Sequence, residues 1–111
     1  MNTKKEIRKI IAEHSAELKK GTKGYHSCER NIYLTDKDYL RVYIFGYGLE
    51  FSLHLGNSET LWMFYRDGSI YDLNNVWRKY KYRFEKYIVE AEECGKDKAF
   101  VAKLKELYSL L

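Results

Sequence analysis

Leu73, Trp77, Tyr80, Phe84, Tyr87, Ala91 and Cys94 step along the chain by four and three residues, and Ile88 falls on the same side. A run that long in one rhythm makes an apolar stripe on a helix, and it constrains the fold more than any other feature. The stretch "WRKYKYRFEKY" (77–87) also alternates rings with cations, as a strand would, but only over Tyr80, Tyr82 and Phe84. The longer pattern wins. It predicts a helix over 75–94, with Asp72 or Asn74 as its cap and Gly95 as its stop. Tyr82 is left outside the stripe. It projects from the opposite side, with Arg78, Lys79 and Lys86 within a turn of it and Arg83 at the margin.

A second helix is expected over 3–20, where Ile7, Ile10, Ile11, His14 and Leu18 form one stripe. Thr3 and Glu6 have capping-box spacing, and Gly21 is placed to end the helix. A third is expected over 97–110, capped by Asp97 and striped by Phe100, Leu104, Leu107 and Leu111.

From about residue 25 to residue 72 the apolar period changes to two. "LEFSLHL" (49–55) sends Leu49, Phe51, Leu53 and Leu55 to one face and Glu50, Ser52 and His54 to the other. "YLRVYIF" (39–45) is apolar on nearly both faces, as a central or doubly covered strand would be, and "TLWMFYR" (60–66) is similar. "ERNIYL" (29–34) is a weaker first strand. Turn chemistry lies between these runs at 35–38, 46–48 and 56–59. It is strongest at 66–69, where Asp67-Gly68 suits a type I′ hairpin whose return strand is 69–72. The fold class expected is therefore α+β. An N-terminal helix leads into a four- to five-stranded antiparallel meander, and two C-terminal helices pack on one face of the sheet.

With 111 residues the chain is expected to be one domain, with a core large enough to need no disulfide or metal staple. Cys28 and Cys94 are far apart and read as reduced thiols in a cytoplasmic setting. No apolar run approaches a membrane span, and charges flank the short apolar cluster near the N-terminus on both sides, unlike a signal peptide. The net charge of +4 permits an anionic partner without demanding one, and it argues against an acidic mimic of DNA. The composition departs from the ordinary in its 11 Tyr. Each brings an apolar ring with a polar tip, which suits interfaces.

Chemistry-bearing groups are sparse. His26 and Cys28 are the only local His/Cys pair, and their spacing matches no zinc pattern or nucleophile–base arrangement. His14 lies on an apolar stripe, as a hydrogen-bonded, partly buried histidine would. His54 shares a strand face with Glu50 and Ser52. Asp36 and Asp38 share a turn. Glu90, Glu92 and Glu93 crowd the C-terminal end of a helix, against its dipole. No phosphate loop or nucleophile elbow is present, and no cofactor or metal is expected. The candidate binding residues are Arg78, Lys79, Tyr82, Arg83 and Lys86.

In overall character the chain is similar to small phage and mobile-element proteins of the anti-CRISPR and anti-defence kind. It is short, Lys- and Tyr-rich and α+β, with no catalytic motif. That resemblance implies a non-catalytic inhibitor that binds a host protein or nucleoprotein complex, a CRISPR effector nuclease for example. Direct binding of RNA or DNA by the basic face of the 75–94 helix is the alternative. A small enzyme or ligand-binding domain, with a pocket at His54, Glu50 and Trp62, is the third. A homodimer is compatible with all three.

Overall fold

The structure is a computed structural model and describes residues 2–20, 27–56 and 65–111. Helix α1 (Thr3–Lys19) leads to strands β1 (Ser27–Tyr33), β2 (Tyr39–Phe45), β3 (Gly48–His54) and β4 (Tyr65–Ser69). A single 3-10 turn (Ile70–Asp72) then feeds helix α2 (Leu73–Glu93), and helix α3 (Lys98–Leu110) follows. The strands form one antiparallel sheet in the order β1-β2-β3-β4. The fold is α+β, as the change of apolar period predicts.

Period two sorts the sheet residues. Leu40, Val42 and Ile44 of β2, with Leu49, Phe51 and Leu53 of β3 and Ile32 of β1, are buried in one core. Ile7 and Ile10 of α1, Val76, Trp77, Tyr80 and Phe84 of α2, and Leu104 and Leu107 of α3 join them there. Each such side chain taken out of water contributes about 1.5–3 kcal/mol. The rings meet edge to face in series. Phe51 lies 5.3 Å from Trp77 and 5.4 Å from Tyr80, Tyr80 lies 6.3 Å from Phe84, and Phe84 lies 5.4 Å from Tyr108. This series ties the sheet to α2 and α2 to α3 in a geometry that aromatic quadrupoles favour.

Several local expectations are corrected. The cap of α1 is Asn2, whose side chain accepts from the Lys5 amide at 3.0 Å. Thr3 is instead buried, and its hydroxyl donates to the Leu110 carbonyl at 3.3 Å, so it joins the two ends of the chain. Strand β1 starts two residues before the expected 29–34. Asp67-Gly68 is not a hairpin turn. Gly68 sits inside β4 opposite Leu49, and residues 70–72 of the expected return strand form the 3-10 turn. Cys94, expected on the α2 stripe, is an exposed C-cap, followed by Gly95 at φ 70°. Asp72 and Asp97 occupy cap positions but make no side-chain capping bond. Gly21 and most of the expected strand 60–66 lie outside the described residues. No fifth strand occurs among the described residues, and none of their helices is long and apolar enough to cross a membrane.

Candidate functional site

The helical phase of α2 decides what its outer face presents. Trp77, Tyr80, Phe84 and Ile88 turn inward, so Tyr82 is driven outward and stays 65% exposed. Arg78, Lys79, Arg83 and Lys86 stand around it, and these five residues line one shallow groove of about 480 Å³. The structure thus brings together all five residues that the sequence singles out. Arg78 donates to the Asn75 side chain at 2.7 Å, and Asn75 in turn donates to Asp72 at 3.0 Å, which fixes the N-terminal end of the groove. Four cations around a ring can hold an anionic surface or a phosphate backbone.

A second surface lies on the sheet. The described helices all pack on the Leu40–Val42–Ile44 side of β2, so its alternate residues Tyr39, Arg41, Tyr43 and Phe45 face away from the core. The register extends this face in rows. Glu29, Tyr43 and Glu50 form one, Asn31, Arg41 and Ser52 the next, and Tyr33, Tyr39 and His54 the third. Tyr33 is 51% and Phe45 44% exposed. β2 is therefore central in the sheet, as expected, but on this side no described helix covers it.

Contacts within the face hold it in place. Arg41 Nε donates to Glu29 Oε1 at 2.7 Å, and its guanidinium lies 5.1 Å from the Tyr43 ring centroid. That hydrogen bond holds the Glu29 carboxyl below its ordinary value and raises the already high value of Arg41. His54 stacks on Tyr39 at 4.8 Å and shares a 3.0 Å hydrogen bond with the buried hydroxyl of Ser52. Burial, helped by the nearby Arg41 charge, lowers the His54 imidazole against the opposing pull of Glu29. The neutral ring is thereby favoured, which suits stacking. Tyr33 leans on Tyr39 at 5.2 Å, and Tyr43 lies beside Phe45 at 6.2 Å.

His14 is buried, and its Nε2 lies 2.9 Å from the Gly46 carbonyl, the hydrogen-bonded role expected of it. His26 and Trp62 lie outside the described residues. Cys28 is half-buried against the core. The depression on the sheet face holds about 300 Å³ and is lined by Tyr43, Phe45, Gly48, Leu49 and Glu50, without His54. Of the turn carboxylates, Asp38 is buried and bonded to Lys103 rather than paired with Asp36.

Sequence reasoning placed Glu50, Ser52 and His54 on one face but missed the wider surface of Tyr39, Arg41, Tyr43 and Phe45. Their alternation was visible, but which side the helices left open depends on chain connection and register. No family model, curated protein or solved structure matches the chain.

Proposed function

We propose that this chain is a non-catalytic binding protein that inhibits or regulates a host nucleic-acid-processing complex, with a CRISPR effector nuclease as the leading example. It seats its open sheet face on a protein component of that complex. One observation carries this reading: Tyr39, Arg41, Tyr43 and Phe45 occupy successive outward positions of a central strand on a face that no described helix covers. Tyr and Arg dominate the energetic centres of protein interfaces. Arg41 is already held by Glu29 and Tyr43, so little side-chain freedom remains to be lost on docking. The face is broad and its depression shallow, which fits a protein surface better than an enclosed small ligand.

The test is capture of bacterial nucleoprotein complexes on the immobilised chain, together with inhibition of reconstituted CRISPR effector cleavage. The double variant Arg41→Ala/Tyr43→Ala is expected to lower affinity about tenfold or more. Wild-type-like capture or inhibition by that variant overturns the reading.

A second reading is favoured by the convergence of Arg78, Lys79, Tyr82, Arg83 and Lys86 on one groove. It has the protein bind single-stranded RNA or DNA there, with Tyr82 stacking on a base. Affinity for an oligonucleotide then falls steeply with salt, and Lys86→Ala flattens the slope. Absence of binding at low salt overturns it.

A further inference from the structure

Helix α2 carries its charges in the wrong order for its own dipole. Its first turn has no acid and its last turn no base. Arg78 and Lys79 lie in the half nearer the positive end, Arg83 stands at the middle and Lys86 just beyond it, while Glu90, Glu92 and Glu93 crowd the negative end. Like charges also neighbour like: Lys79 is four residues from Arg83, and Glu90 three from Glu93. An isolated helix is weakened by both features. Glu92 is accounted for by Lys105 of α3 at 2.5 Å, and Glu85 by the Tyr108 hydroxyl. Lys79, Lys86, Glu90 and Glu93 are exposed and have no ion-pair partner among the described residues.

We propose that this stripe is the interface of a two-fold dimer, in which α2 of a second copy of the chain lies antiparallel across it. That arrangement places Lys79 and Arg83 of each helix on Glu93 and Glu90 of the other and sets the two dipoles head to tail. It also has a single register. Lys79 meets Glu93 of the second copy, Arg83 meets Glu90, and Tyr82 lands beside Val89, and the midpoint of every one of these pairs falls within one residue of Lys86. Tyr82 and Val89 are 65% and 50% exposed and stand seven residues apart along the outer line of the helix, so both apolar groups are covered by the same contact. A parallel alignment would set every cation of the stripe against its own copy, whereas here Lys86 alone, on the two-fold, faces itself, and that one repulsion is opposed by the Lys79–Glu93 and Arg83–Glu90 contacts, each made twice.

Because the contact is isologous, it closes at two chains and does not propagate. A nucleic acid fits the whole stripe less well, because the Glu90–Glu93 end repels a phosphate backbone that follows the helix. The helix is only about 32 Å long. A single helix pair of that length falls in the small, transient class of interface, so the dimer is weak and salt-sensitive.

The test is sedimentation equilibrium of the full chain from micromolar to millimolar concentration, at low and high salt. Wild type is expected to dimerise, less so as salt rises. Lys79→Glu or Glu93→Lys alone places two like-charged contacts in the symmetric interface and weakens association about tenfold. Both substitutions together in one chain, or an equimolar mixture of the two single variants, restore the pairing and the association. A chain that stays monomeric at millimolar concentration in low salt overturns the proposal. So does dimerisation indifferent to the single reversals, or a charge swap that fails to restore it. Oligonucleotide binding by the monomer, abolished by Lys79→Glu and not restored by the swap, assigns the stripe to nucleic acid instead. None of these outcomes depends on the sheet face, because Arg41 and Tyr43 are unchanged throughout.

Discussion

Tyr80 is wholly buried, and its hydroxyl is a buried side-chain polar atom without a hydrogen-bond partner. Burial alone holds the phenol far above its ordinary ionisation range. The ring is well used, lying against Phe51, Trp77 and Phe84, so the residue adds packing while its oxygen carries a desolvation cost. Phenylalanine keeps every ring contact and removes that cost. Tyr80→Phe is therefore expected to leave thermal stability unchanged or raise it by about 1 kcal/mol, measured by chemical or thermal unfolding. A loss larger than about 1 kcal/mol would show that the hydroxyl is bonded in solution. Tyr82, two residues on, has the opposite fate, because a two-residue step on a helix crosses to the other side. This is why its exposure was legible from spacing alone. It needed only the helical phase and no knowledge of what α2 packs against.

At the scale of elements, Gly68 shows where such legibility ends. Asp-Gly is the strongest short hairpin signal, yet Gly68 pairs with Leu49 inside β4 and its φ is not positive. Close approach of α2 accounts for the glycine instead. A Cβ at position 68 would stand 2.6 and 2.7 Å from the two methyls of Val76. Valine has little rotameric freedom in a helix with which to retreat, so an added methyl must push the helix off the strand. Gly68→Ala is expected to destabilise by about 1–3 kcal/mol. In the Gly68→Ala/Val76→Ala double variant the two losses should fall well short of additivity. Unfolding titrations of the four chains close this cycle, and strict additivity would show that the two positions do not meet. Nothing within residues 66–69 distinguishes a glycine kept for a turn from one kept for helix contact, since that contact comes from a segment after the turn. The strands β2 and β3 were legible for the converse reason: alternation is a property of the strand itself. The uncovered side of β2 was not, because Tyr39, Tyr43 and Phe45 alternate alike whether a helix or solvent faces them.

At the scale of the whole molecule, the two surfaces proposed for binding lie on opposite layers. One is the outer face of the sheet, and the other is the outer stripe of a helix whose inner stripe packs into the core. What holds the layers in register includes one buried charge. Asp38 is 3% exposed, accepts from the Thr35 hydroxyl at 2.6 Å and the Gly56 amide at 3.1 Å, and pairs with Lys103 of α3 at 2.6 Å. It thereby joins the β1–β2 turn, the exit of β3 and the last helix. Burial works to raise this carboxyl, but the bonds from Lys103, Thr35 and Gly56 outweigh it, so the group is held below the usual carboxylate range. Since the folded value lies below the unfolded one, the chain binds fewer protons at Asp38 when folded than when unfolded. The stabilisation is therefore fully present above the unfolded value of about 3.9 and fades as pH falls through the lower folded value. At neutral pH, Asp38→Asn is expected to lose about 1–2 kcal/mol, the worth of charge-assisted bonds replaced by neutral ones, while Lys103 turns toward solvent. Below about pH 4 the gap between the two chains should begin to narrow, because the unfolded wild type is protonated at this position first, and it should close once pH falls through the lower folded value. Denaturant unfolding of both chains between neutral and strongly acidic pH measures this gap. A difference that holds constant down to the lowest pH would mean that the carboxylate charge contributes nothing to joining the sheet and α3.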